Sequence, residues 1–117
     1  MPAFEKLTVW RKGHELALRT CALTEDFPPS ERFAMQDRIR RAAVAAPSNI
    51  AEGHGRASDS EFAYFLRVAL GSVSELQALT LLARDLGYID AIELQAFWAQ
   101  SAEVCRLLRA LIDRVSA

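Results

Sequence analysis

The sequence predicts an all-α protein folded as an antiparallel up-down-up-down four-helix bundle. Three observations lead there. Apolar residues recur every three or four positions through four long segments, and no segment sustains the period-2 alternation of a strand. The five glycines and four prolines fall mostly at the cuts between those segments. The loops left between them are only a few residues long, which makes consecutive helices antiparallel neighbours. The expected helices cover about 6–26, 31–53, 59–86 and 91–115, in a single domain spanning residues 1–117.

In the first segment Val9, Leu16, Leu23 and Phe27 lie near one stripe, with Ala17 and Thr20 beside it. Phe27-Pro28-Pro29 should end it, because proline disfavours the α conformation in the residue before it. The second segment should start from Ser30 as N-cap, with Glu31 in the first turn where the helix dipole favours a negative charge. Met35, Ile39, Ala42, Ala46 and Ile50 repeat at helical spacing, and Pro47 inside the run should kink the helix near Ala43. Gly53-His54-Gly55 should close it in the left-handed conformation.

The third segment opens on Ser58-Asp59-Ser60-Glu61, the pattern of a capping box. Phe62, Phe65, Leu66, Ala69, Val73, Leu76, Leu79 and Ala83 follow at bundle spacing, and Gly87 marks the stop. The fourth begins at Asp90. Leu94, Phe97, Ser101, Val104, Leu108, Leu111 and Val115 form a nearly strict heptad stripe, widened by Trp98, Cys105 and Ile112.

A chain of 117 residues can bury roughly two-thirds of its unfolded surface, enough for a core without disulfide or metal. Apolar residues reach 51%, above the usual share, which points to buried surface beyond one small core, at subunit contacts. Trp10, Tyr64, Tyr88 and Trp98 are the candidate interface aromatics. Cys21 and Cys105 sit apart among apolar neighbours and read as buried thiols. The N-terminus lacks the apolar core of a signal peptide, and no apolar run approaches membrane-span length. The expectation is a soluble, reduced, cytoplasmic protein with no membrane partner.

No catalytic residues are expected. His14-Glu15 lacks the second histidine of the H-E-x-x-H zinc motif, and His54 is far away in sequence, so no metal site is predicted. The paired E-x-x-H motifs of di-iron bundles do not occur. Gly53-His54-Gly55-Arg56 follows a helix rather than a strand and lacks the G-K-S/T ending of a phosphate loop, so no cofactor is predicted either. Glu52 and Glu75 interrupt apolar stretches, and pairing with Arg41, Asn49 or Arg56 would make a buried polar network that fixes helix register.

The suggestive charge feature is the cluster Arg38, Arg40, Arg41. The net charge is −1, with twelve arginines against two lysines. Residues 30–57 carry five arginines against Glu31, Asp37 and Glu52, while residues 58–117 total −3. The cluster has two readings. One is a solvated face paired within itself; the other is a set of phosphate contacts to RNA or DNA, with Arg56 as a further member.

These residues also carry a resemblance. Arg40-Arg41-Ala42-Ala43, Pro47-Ser48-Asn49-Ile50-Ala51-Glu52-Gly53, then Gly55-Arg56 and Ser58, resemble the signature of the four helix bundle protein family. The likeness continues through Glu61-Phe62, Phe65-Leu66, Ala69-Leu70-Gly71-Ser72, Glu75-Leu76 and Leu86-Gly87-Tyr88. That family includes proteins encoded in intervening sequences of 23S rRNA genes and the accessory variability protein of diversity-generating retroelements. The resemblance implies a non-enzymatic bundle assembled as a ring-shaped homopentamer. In the retroelement branch it implies binding to nucleic acid and to a reverse transcriptase. Asn49, Glu52, Gly53, Gly55 and Glu75 fall on the signature and are assigned to architecture. Arg38, Arg40, Arg41 and Arg56 are the candidate nucleic-acid contacts. The alternatives are a protein-interaction ring with no nucleic-acid role, or a small-ligand-binding bundle.

Overall fold

The computed structural model describes residues 2–117. Four helices carry the fold: α1 (Thr8–Leu23), α2 (Met35–His54), α3 (Asp59–Asp85) and α4 (Ala91–Ser116). Each helix packs only on its neighbours around the bundle, α1 on α2, α2 on α3, α3 on α4 and α4 back on α1. The cross-section is therefore a square with four outer faces, and the body measures 43 × 23 × 23 Å. Leu16, Ile39, Ile50, Leu66, Val73, Leu76, Phe97, Val104 and Leu108 are at most 1% exposed and fill its axis. Leu111 and Val115, expected on the fourth stripe, lie at its partly buried margin.

The two caps read from sequence form. The Ser58 hydroxyl accepts from the Glu61 amide at 3.2 Å, and the Asp90 carboxylate accepts from the Ile92 amide at 2.7 Å. At the end of α3, Gly87 adopts φ 83°. Its amide donates to the Arg84 carbonyl and the Tyr88 amide to the Ala83 carbonyl, both at 2.9 Å, the paired bonds of a Schellman motif.

Three expected boundaries move. The first helix does not begin at residue 6: Ala3–Lys6 form a 3-10 turn and Leu7 is extended. It stops at Leu23, because the Thr24 hydroxyl turns back to the Thr20 and Cys21 carbonyls at 3.0 and 3.2 Å and Phe27 leaves the helical path to bury itself. Ser30 does not cap the second helix. It lies within a 3-10 turn, Pro29–Glu31, and further tight turns delay α2 until Met35. Ala34 stands at the N-cap with no side-chain bond to offer. Nor do Gly53 and Gly55 take the left-handed conformation; Gly55 has φ −80°. Helix α2 runs on through Pro47, which is buried.

Every buried hydroxyl finds a partner. Thr20 donates to the Leu16 carbonyl at 2.8 Å, Thr80 to Gln77 at 2.9 Å and Ser101 to Trp98 at 2.9 Å. Gln77 of α3 also donates to the Ser101 hydroxyl of α4 at 3.0 Å, a polar tie across that seam. Among the described residues α3 alone is long and apolar enough to cross a membrane by length and composition, although Arg67 and Glu75 interrupt its apolar run. Here it is a bundle helix between α2 and α4, with Leu66, Ala69, Val73, Leu76 and Ala83 fully buried.

Candidate contact surface on the second helix

The cluster Arg38, Arg40, Arg41 does not act as one patch, because α2 turns about 100° per residue and its neighbours occupy two sides. Arg40 points to α1. Its Nε donates to the Thr24 hydroxyl at 2.8 Å, and one terminal nitrogen donates to the Cys21 carbonyl at 3.1 Å and to Glu25 at 3.3 Å. Gln36, one turn earlier, donates to the Thr24 carbonyl at 2.7 Å. The last carbonyls of a helix have no partner within it and carry its partial negative charge. Two α2 side chains therefore cap the C-terminus of α1, which places Arg40 in the architecture of the fold.

Arg38 and Arg41 point outward on the face shared by α2 and α3. Arg38 lies 3.9 Å from the Glu75 carboxylate of α3, and Arg41 is 2.9 Å from Asp37, one turn back on α2. The two arginine side chains are 69% and 81% exposed. Ion pairs this open contribute roughly 0–1 kcal/mol each, so both guanidiniums remain available to another anion.

The signature residues separate in the same manner. Asn49 donates to the Ala45 carbonyl of its own helix at 2.7 Å. Glu52 pairs with Arg56 one turn on, while Glu75 pairs with Arg38. Both carboxylates are about half exposed, so the buried network expected for Asn49, Glu52 and Glu75 is replaced by separate local contacts. Their alternation with apolar neighbours reflects the edge of the helix face, not burial. Arg56 also lies over the Phe65 ring, 5.0 Å from its centroid. Gly53 has a sharper role: a Cβ there would sit 2.6 Å from the Phe65 Cβ and 3.1 Å from the Phe62 ring. It lets α2 and α3 touch where the chain turns back. Gly55 has no comparable contact, its nearest neighbour being a carbonyl oxygen at 3.6 Å.

Two features escaped the sequence reading. Phe33, in the turn before α2, is 89% exposed, with the Arg32 guanidinium 5.6 Å from its ring centre. It borders a hollow of about 590 Å³ together with Arg38, Arg41, Leu79 and Leu82. The second feature is a groove of about 410 Å³ between α1 and α2, lined by Phe4, Trp10, His14, Leu18, Val44 and Pro47 among others, with no acid, lysine or arginine in its wall. Trp10 stacks on His14 there, centroids 4.9 Å apart and planes 12° from parallel. Trp10 is an expected interface aromatic; that Leu18 and Val44 stay open beside it follows only from the placement of α1.

No group of three or more His, Cys, Asp or Glu side chains stands close enough to hold a metal among the described residues. Both cysteines are free thiols; burial raises the Cys105 pKa above its ordinary value and the Arg109 charge offsets part of the rise. Tyr88 is raised as well, first by hydrogen bonding to Glu31, then by desolvation and by the carboxylate's charge.

Short loops, side-by-side helices, helix ends capped by side chains and an outer surface of arginine–carboxylate pairs define a compact up-down bundle of the small four-helix class. The chain belongs to the family of 23S rRNA-intervening sequence proteins, whose pattern it matches over residues 5–110. It is similar in structure to a protein of unknown function from the S23 ribosomal protein family of Bacteroides thetaiotaomicron, with a TM-score of 0.83 and 25% identity. That alignment covers 90% of this chain and 95% of the other. Among curated proteins none matches the chain significantly.

Proposed function

We propose that the protein works without catalysis, as a homo-oligomeric scaffold, with a ring of five bundles as the form its family resemblance favours. The observation that carries this reading is apolar surface left open on opposite flanks of a well-packed bundle. On the α1–α2 face Leu18 and Val44 are 60% and 50% exposed beside the charge-free groove. On the opposite α3–α4 face Trp98 is 39% exposed beside Leu81 and Leu94. Unlike patches on opposite sides favour head-to-tail contacts, which close into rings when the rotation per subunit allows. Light scattering on the purified protein tests it. The expected particle has five times the 13.0 kDa chain mass, and a 13.0 kDa species at micromolar concentration would overturn the reading.

A second reading adds nucleic acid, or an enzyme that acts on it such as a reverse transcriptase, as partner. It is favoured by the exposed guanidiniums of Arg38 and Arg41 on one face. Arg56 stands beyond the end of α2, in the turn to α3, engaged with Glu52 and Phe65. A gel-shift series over salt concentration tests this reading, since each phosphate neutralised steepens the loss of affinity with salt. Binding at low salt that weakens in Arg38→Ala and Arg41→Ala is the expected result. Silence of the intact protein toward RNA and DNA would leave the oligomer as a protein-interaction ring.

A further inference from the structure

We propose that the α2–α3 face carries a site for a single-stranded polynucleotide, with an unpaired base stacked on Phe33 and its phosphates on Arg38 and Arg41. This rests on the nucleic-acid reading above and narrows it to a strand type and to a residue that neither the basic cluster nor the family signature contains.

Among the described residues Phe33 is the most exposed large apolar side chain, at 89%, and it is not part of the core. Water-facing phenylalanine is costly to keep uncovered, and its neighbours give it a use. The Arg32 guanidinium already lies against the ring, 5.6 Å from the centroid, in the way a cation or a flat base would. Arg38 and Arg41 border the same hollow, of about 590 Å³, with Leu79 and Leu82 as its apolar wall. An aromatic platform beside a row of guanidiniums is the recurring arrangement for single strands, because every base has a π-face and every nucleotide a phosphate. A duplex offers no such face, since its bases are stacked on one another. The phenylalanine therefore selects the single strand.

Three carboxylates share the surface and set its strength. Glu31 lines the hollow, Asp37 pairs with Arg41 and Glu75 pairs with Arg38. The last two hold the guanidiniums in exposed pairs that a phosphate must displace. Binding is therefore modest, and removing those carboxylates should tighten it.

Fluorescence anisotropy of the intact protein with labelled oligo-U, oligo-dT and a duplex of equal length, at low salt, tests the site. Expected is binding of both single strands over duplex, with log affinity falling against log salt at a slope of about −1.4 for two phosphates. Phe33→Ala, a surface change whose folding circular dichroism can verify, should weaken single-strand binding by roughly tenfold. Asp37→Asn combined with Glu75→Gln should strengthen it. Equal binding of duplex and single strand, with Phe33→Ala silent, would overturn the site while leaving the broader nucleic-acid reading intact. No binding to any strand would remove both. In that case, loss of self-association in Phe33→Ala would assign the face to a protein contact instead.

Discussion

Arg40 and Arg41 are adjacent in the chain and have opposite roles in the fold. Arg40 is two-thirds withdrawn from water and bonds a hydroxyl, a helix-end carbonyl and a carboxylate on the neighbouring segment. Arg41 is 81% exposed and meets one carboxylate of its own helix. The difference comes from α2 having a partner on each side and open water between them. A run of like charges on a helix is thus two structures, one that holds the bundle together and one that faces whatever the bundle meets. Gly53 falls on the holding side, because its missing side chain sets how close α3 can come.

That division is broken or sharpened first by stability measurements. Arg40→Ala strips three partners, one of them charged, and leaves Gln36 as the remaining α2 side chain on the C-terminal carbonyls of α1. The expected loss is about 2–3 kcal/mol, read from urea unfolding. Thr24→Val should remove part of the same interaction, and the double variant should fall short of the sum of the two. If Arg40→Ala unfolds at the same urea concentration as the unaltered protein, the cap contributes nothing and the contrast with Arg41 disappears.

Gly53→Ala comes next. The new methyl must push Phe65 or the α3 backbone aside, because the closest atom is a Cβ and not the end of a flexible chain. Overpacking of this kind costs about 1–3 kcal/mol. Gly55→Ala is the control: its Cβ would meet only carbonyl oxygens at 3.6 and 3.8 Å, at φ −80°. A small change or a slight gain is expected there. Equal losses at both positions would mean that the close approach of Phe65 is not what makes position 53 sensitive, since helix propensity alone favours alanine over glycine at both.

On the exposed side, Arg38→Ala and Arg41→Ala should each shift stability by no more than about 0.5 kcal/mol. Any effect on binding would then report contact with a partner and not damage to the fold. A loss at Arg41 comparable to that at Arg40 would show that the Asp37 pair carries structural energy.

Much of the fold was legible because local chemistry and tertiary packing agreed. Ser58, Gly87 and Asp90 act through contacts within a few residues, so sequence alone placed the start of α3, its end and the start of α4. The stripe of α4 was legible for the same reason, since its period persists over the whole helix. The start of α2 was not, because proline-led 3-10 turns from Pro28 to Ala34 displaced the good capping residue Ser30. Phe27, on the expected stripe, is buried, but nothing local says that its partner is Tyr88 or that Phe33 stays in water. The candidate surface was legible in its residue types only. Which arginine faces α1 depends on the angular order of four helices, and so does the exposure of Glu52 and Glu75.

The smallest expected effect concerns the turn that presents Phe33. Tyr88, next to the Gly87 stop, interacts with Glu31 of the 3-10 segment and packs its ring 5.5 Å from that of Phe27. Its raised pKa means that the folded protein holds the phenolic proton more tightly than the unfolded chain does. The associated stability is complete below the ordinary tyrosine value of 10.0 and is lost as pH rises through the raised value. Tyr88→Phe keeps the ring packing and removes the proton. Below pH 9 the variant should be slightly less stable than the unaltered protein, and above pH 10 the gap should close or reverse. Phe33 exposure, followed through binding or hydrogen exchange of residues 29–34, should change with the same pH dependence. No gap at any pH from 7 to 11 would show that the hydroxyl contributes nothing and that the ring packing alone holds this turn to the α3–α4 corner.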